Sequence, residues 1–145
     1  MNSNEDKIKY KGQEISWRVS TYAVFGANGM VLLKRGHDEK RWDFPGGKVK
    51  AVEDLESACH REVEEEIGAR VKLGGVFHHL EGWFYYKERR SYHHTLRFYF
   101  KAKLLTDIGK PVDPKIKEIK WWEWGEINDK EFQDDVREIK RLLRK

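Results

Sequence analysis

An α/β fold is what this sequence predicts, and three observations carry that expectation. Strand-like runs rich in Val, Leu and aromatic residues recur along the chain, one segment between them has helical spacing, and the chain closes on an amphipathic helix. A length of 145 residues suits a single domain, residues 1–145, with one sizeable core. Seven Phe, six Tyr and six Trp supply large areas to bury, which excludes a disordered chain.

Residues 1–7 are polar and expected to fray. Trp17 to Phe25 and Met30 to Arg35 are strand-like, and Asn28-Gly29 between them predicts a hairpin. Gly36 to Arg41 is a charged loop. It leads into Trp42-Asp43-Phe44-Pro45-Gly46-Gly47, where proline stops regular structure and two glycines permit close backbone approach. From Asp54 to Ile67, Leu55, Ala58, Cys59, Val63 and Ile67 recur at helical spacing, and Gly68 stands where a left-handed C-terminal cap belongs. Val71 to His78 and Gly82 to Tyr86 are expected as separate strands. Thr95 to Leu104 alternates, with Leu96, Phe98, Phe100, Ala102 and Leu104 on one face, and is expected to be half-buried. Ile116 to Trp124 is the last strand. Asn128 with Glu131 forms a capping box ahead of Phe132, Val136, Ile139 and Leu143, which predicts the start of the final helix.

A formal net charge of +4 in a chain that is 37% charged suits an anionic ligand without singling out nucleic acid. The longest uncharged stretch, Val19 to Leu33, is too short to cross a bilayer and is broken by Gly26-Ala27-Asn28-Gly29, so no membrane partner is expected. Met1 to Asp6 has neither the basic nor the apolar region of a secretory leader, and a cytoplasmic location is the expectation. Cys59 is the single cysteine, which rules out an intrachain disulfide and a multi-cysteine metal site.

The informative segment is the first helix. At about 100° per residue, Glu62, Glu65 and Glu66 fall within an arc of roughly 100° that overlaps the side carrying Leu55, Ala58 and Cys59, while Glu64 points away. Carboxylates beside a core-facing stripe repel one another and lose hydration, at a cost on the order of several kcal/mol per unpaired ion. A hard divalent cation, Mg²⁺ or Mn²⁺, is the usual partner of clustered oxygen ligands.

Gly47, five residues, Glu53, seven residues and then Arg61-Glu62-Val63-Glu64-Glu65-Glu66-Ile67-Gly68 resembles the signature of the Nudix hydrolases at all seven of its fixed positions. By chance that coincidence is on the order of one in 10⁸ per start site at ordinary residue usage. The order of elements from about residue 17 to 143 is similar as well. Three positions depart from the family: Ala69 replaces a bulkier aliphatic, Lys50 a frequent Glu, and Val52 a frequent Gly. Val52 bears on the loop backbone, because a β-branched residue adopts positive φ only at a cost.

The resemblance implies a Nudix-type α/β/α sandwich with a mixed central sheet. It also implies a Mg²⁺- or Mn²⁺-dependent pyrophosphohydrolase that cleaves the diphosphate linkage of a small nucleoside diphosphate derivative: a nucleoside triphosphate, a nucleotide sugar or a dinucleoside polyphosphate. Removal of pyrophosphate from an RNA 5′ end and a non-catalytic nucleotide-sensing module stand as alternatives, and a homodimer is compatible with either. Glu62, Glu65 and Glu66 are the implied metal ligands, with the Gly46 carbonyl completing the shell. Glu62, Glu65 or the later acid Glu118 is the implied general base, and Asp113 and Glu88 are further acids of that kind. Glu53 and Arg61, with Gly47 and Gly68, hold the loop to the helix. Arg35 and Arg97 are the candidates for binding phosphate, Arg35 foremost, followed by Lys34 and the loop Lys87-Glu88-Arg89-Arg90. Trp83, in the run Trp83 to Tyr86, is the candidate for stacking on a base.

Overall fold

Strand β2 (Gln13–Val24) organises the computed structural model, which describes residues 7–10 and 12–143. One of its edges pairs in parallel with β7 (Ser91–Leu104), from Glu14 opposite Ser91 to Val24 opposite Lys101. The other edge is shared by β1 (Lys7–Tyr10) and β5 (Gly46–Lys48), both antiparallel. β6 (Val71–Tyr86) continues the sheet on the far side of β7, in the order β1-β2-β7-β6. A second sheet consists of β3 (Gly26–Ala27), β4 (Met30–Gly36) and β8 (Ile116–Glu123).

Period-two alternation along β2 gives each helix its own core. Ala23 points toward α1 (Leu55–Ile67), where it packs with Cys59, Val63, Ile67 and Phe100. Tyr22 and Val24 point the other way, to Tyr99, Phe44 and the apolar stripe Val136 and Ile139 of α2 (Asp134–Leu143). The result is the expected mixed sheet between helices. Asp54 caps α1 by accepting from the Ser57 N–H at 2.7 Å, and Gly68 closes it in the left-handed conformation at φ 62°. Among the described residues no helix is long and apolar enough to cross a membrane.

Four expectations are modified. The Asn28-Gly29 hairpin exists, with φ of 55° and 77° at the two turn residues, but it joins only Gly26–Ala27 to Met30–Val31. The long strands β2 and β4 part into different sheets, because both edges of β2 are occupied by β7, β1 and β5. Val71 to His78 and Gly82 to Tyr86 are one strand, since Leu80 and Glu81 keep pairing with Arg97 and Leu96; its irregularities fall earlier, around Gly74 and Gly75. Asn128 does cap a turn, accepting from the N–H of Lys130 and Glu131 at 2.9 and 3.1 Å. The chain then runs beside Trp42, whose N–H donates to the Glu131 carbonyl at 2.8 Å, and the helix begins only at Asp134. Of the start expected to fray, residues 1–6 lie outside the described residues and Lys7 begins a strand.

Candidate functional site

Residues 46–67 are held as one unit by Arg61. Its Nε and Nη2 donate to the two oxygens of Glu53 at 2.7 and 2.9 Å, and Nη2 also donates to the Lys48 carbonyl at 3.1 Å. A bidentate fork of this kind fixes direction as well as distance, and it ties the loop after β5 to the middle of α1. Arg61 Nη1 then reaches Glu62 at 3.0 Å and Glu65 at 3.4 Å. The fork and the Lys50 N–H hold the Glu53 carboxyl down to about 2, and Val52 stays outside positive φ, so the loop needs no glycine there.

Glu66 enters the core instead. It is 4% exposed, accepts the Gly46 N–H at 2.7 Å, and lies 3.4 Å from the Nζ of Lys34, itself buried on β4. Burial raises the Glu66 carboxyl to about 7 against the pull of Lys34 and the Gly46 N–H. At Lys34 burial disfavours the charge but Glu66, Asp43 and Glu39 outweigh it, so its value is raised. The pair is therefore fully ionic only above about pH 7, where Glu66 has lost its proton. Gly46 itself is fixed by β2, since its φ is 148° and a Cβ there would lie 2.1 Å from the Thr21 carbonyl. At Gly47 a Cβ would lie 2.8 Å from the Glu62 carboxyl, so the missing side chain makes room for that acid.

These groups open onto a cleft of about 800 Å³ above the β2-β7-β6 face. Of the residues singled out from the sequence, Lys34, Gly46, Gly47, Glu62, Glu66, Trp83, Phe84, Tyr86, Arg97 and Asp113 line it. Glu65 does not, and neither do Arg35 and Glu118, which bond to one another where β4 and β8 pair. Alternation explains the exchange: of the adjacent cations Lys34 and Arg35, only one can point inward, and it is Lys34. Trp83 borders the cleft, but its ring stacks on His94 at 4.2 Å, and His94 stacks on Trp17 at 4.0 Å. Phe84 and Tyr86, one residue to either side of Tyr85, line the cleft together with His93. The side chain of Glu88 is outside the described residues.

Sequence reasoning passed over a second polar group, buried behind Arg97 and Asp43 of the cleft wall. Asp135 is 2% exposed, accepts from the Tyr99 hydroxyl at 2.7 Å and lies 3.8 Å from Arg97. Burial and the neighbouring Asp135 push the Asp43 carboxyl well up, against Lys34 and the Phe44 N–H. The available signal was Asp135 beside Val136 on the apolar stripe of α2, the same anomaly that marked the acids of α1.

Does the arrangement fit a divalent cation? Among the described residues no three His, Cys, Asp or Glu side chains converge closely enough to enclose one. Mg²⁺ does not require that, since it binds through one or two carboxylates, waters and substrate phosphates. Glu62 and Glu66, one turn apart with oxygen donors only and the Gly46 backbone beside them, meet that lesser demand.

The NUDIX domain model matches residues 16–143. The 8-oxo-dGTP diphosphatase of Buchnera aphidicola is 38% identical over 74 residues, covering 50% of this chain and 56% of that protein. The RNA pyrophosphohydrolase of Caulobacter vibrioides is 31% identical over 123 residues, covering 73% of this chain and 69% of that protein. Among solved structures, a MutT NUDIX hydrolase from Burkholderia pseudomallei superposes with a TM-score of 0.71 at 21% identity, covering 87% of this chain and 97% of that one. A MutT protein from Methanosarcina mazei gives 0.70 at 22% identity, covering 89% and 96%. With the family model spanning nearly all of the described fold, this chain belongs to the Nudix hydrolases.

Proposed function

We propose that this protein is a divalent-metal-dependent pyrophosphohydrolase that cleaves the diphosphate linkage of a small nucleoside diphosphate derivative. The observation that carries the reading is the cleft itself, in which Glu62 and Glu66 stand at one place and the cations Arg18, Lys48, Arg97 and Lys115 line the rest. A diphosphate is shielded by its own negative oxygens, and catalysis of its hydrolysis is mainly positioning and charge neutralisation. Glu62 and Glu66 would hold Mg²⁺ or Mn²⁺, which when bound neutralises the phosphate oxygens and acidifies water. Lys34 and the Gly46 N–H keep Glu66 in place, and Arg61 does the same for Glu62. Arg61 occupies Oε1 of Glu62 and leaves Oε2, which would either join the metal or take a proton from the attacking water. The cationic lining binds the remaining phosphate charge. Glu65 and Glu118 become secondary candidates, because neither reaches the cleft, and Asp113 replaces Glu118 as the acid from a later loop.

The second reading, pyrophosphate removal from an RNA 5′ end, is favoured by the coverage of the Caulobacter vibrioides relative and by the cations at the β6–β7 turn. A panel of nucleoside triphosphates, nucleotide sugars, dinucleoside polyphosphates and 5′-triphosphorylated RNA, incubated with Mg²⁺ and scored for product, separates the two. Turnover of a small nucleotide with a higher kcat/KM than the RNA supports the first reading. The reverse order replaces it with the second, and no turnover of any substrate overturns both.

A further inference from the structure

The cleft continues well beyond the acids. Gly46 sits opposite Tyr22, and His93 sits opposite Ser16 farther down the same strand. Six residues of β2 separate the two points, roughly 20 Å at about 3.3 Å per residue. Between them the floor is low: Gly82 faces Thr95, and a Cβ on Gly82 would only touch the Thr95 hydroxyl at 3.4 Å. At the outer end the character changes. Phe84 lies against His93 with ring centroids 6.3 Å apart and planes at 28°, and Tyr86 closes the group edge-on, 5.7 Å from His93 and 5.5 Å from Phe84. Ser16 bonds to Nδ1 of His93 at 2.9 Å and fixes its ring.

These rings are open to solvent, Phe84 at 53% and Tyr86 at 41%, so packing of the core does not account for them. Cations surround them. Arg89 stands 5.7 Å over the Tyr86 ring, and Arg18 and Lys48 line the adjoining wall. None of the three forms an ion pair among the described residues. Burial, then Arg18, Lys48 and Arg89 in turn, lower the pKa of His93 against the opposing effect of Glu14, so the ring is neutral near pH 7 and free to stack. Aromatic faces interleaved with unpaired cations are what a nucleobase and its phosphate bind, because every base has a π-face and every phosphate needs a counter-charge.

We propose that this outer end, built from Phe84, Tyr86, His93 and Arg89, is a subsite for a second nucleobase and its phosphate, so that the preferred substrates extend one nucleoside beyond the one joined to the cleaved diphosphate. The inference rests on the pyrophosphohydrolase reading and narrows its substrate class. With its diphosphate at Glu62 and Glu66, a substrate has to span roughly 20 Å to reach the rings, and a second nucleoside supplies that length. The chemistry has two sources, a dinucleoside polyphosphate and the second nucleotide of an RNA 5′ end.

The test compares wild type with the Phe84→Ala, Tyr86→Ala double variant on three substrates: GTP, diadenosine tetraphosphate and the triphosphorylated dinucleotide pppApG, all with Mg²⁺. The specificity ratio, kcat/KM for a two-nucleoside substrate over that for GTP, should fall at least about fivefold, the lower range of what a base–aromatic stack contributes. A fall confined to diadenosine tetraphosphate assigns the subsite to small dinucleotides, and one confined to pppApG assigns it to RNA. An unchanged ratio overturns the proposal. If wild type hydrolyses none of the three, the pyrophosphohydrolase reading fails but the subsite is still measurable. By calorimetry, the monophosphorylated dinucleotide pApG should bind wild type at least about fivefold more tightly than AMP, and the double variant should lose that preference; equal affinities in wild type overturn the subsite. Should the double variant melt early, Phe84→Ala alone carries the same comparison, since that ring is already half in solvent.

Discussion

Burial and charge conflict at Glu66. Glu66→Gln keeps an oxygen for the Gly46 N–H and removes the charge. Hydrolysis should fall by at least about 10²-fold in kcat/KM, the scale of losing one electrostatic contact to a transition state, with circular dichroism unchanged. Its proton also links to folding. The carboxyl titrates near 4.5 when unfolded and at about 7 when folded, so between those values the native state binds the extra proton. Stability of the metal-free protein must therefore fall as pH rises from about 5 to 7.5, by an amount on the order of 3 kcal/mol from this group. Asp43, raised for the same reason, adds to the slope with the same sign. Urea midpoints measured across that range should decline for wild type and decline less for Glu66→Gln. Parallel slopes would mean that Glu66 is ionised at neutral pH in the folded protein. Above about pH 7 the metal-free variant should be at least as stable as wild type, since the charge it lacks is one that burial disfavours even with Lys34 alongside.

At the level of elements, the turn from β5 into α1 makes two glycine positions do different things. A methyl at Gly46 would collide with the backbone of Thr21 and Tyr22, which cannot retreat, so Gly46→Ala should lose several kcal/mol of stability or fail to fold, as read by its melting temperature. A methyl at Gly47 meets only the end of the flexible Glu62 side chain. Gly47→Ala should keep the melting temperature within a few degrees while kcat/KM drops by about tenfold or more, because the carboxyl that is displaced belongs to the proposed site. This region was also the most legible in the sequence. Asp54, Gly68 and the apolar spacing of Leu55 to Ile67 are local signals, and they fixed the helix to within a residue. The partition of β2 and β4 into separate sheets was not legible, since Asn28-Gly29 specifies a turn but carries nothing about who takes the free edge of a strand. The start of α2 was missed for a similar reason: the Asn128 cap is local, whereas the detour beside Trp42 is a long-range contact.

For the whole molecule, a cation that binds only the native state stabilises it by mass action. Mg²⁺ or Mn²⁺ should raise the melting temperature of wild type and leave the Glu62→Gln, Glu66→Gln double variant unmoved; equal shifts in both would place the ions elsewhere. The candidate site was half readable from the chain. The acids of α1 announced themselves through their place on an apolar face, whereas Arg35 and Glu118 were favoured by sequence neighbourhood and are in fact occupied with each other. Which of two adjacent strand residues faces a cleft depends on a register set far away. That remoteness has a consequence for how the protein is made. β2 ends at Val24 and its parallel partner β7 begins only at Ser91, so a growing chain carries a long strand with one edge unpaired until the residues between them and β7 itself have been made. Gly46 to Ile67 can dock on the opposite edge in the meantime, which assembles the acids before the floor of the cleft exists. A pause in synthesis after α1 has left the ribosome and before β7 has would prolong that half-built state, in which an exposed strand edge invites pairing with neighbouring chains.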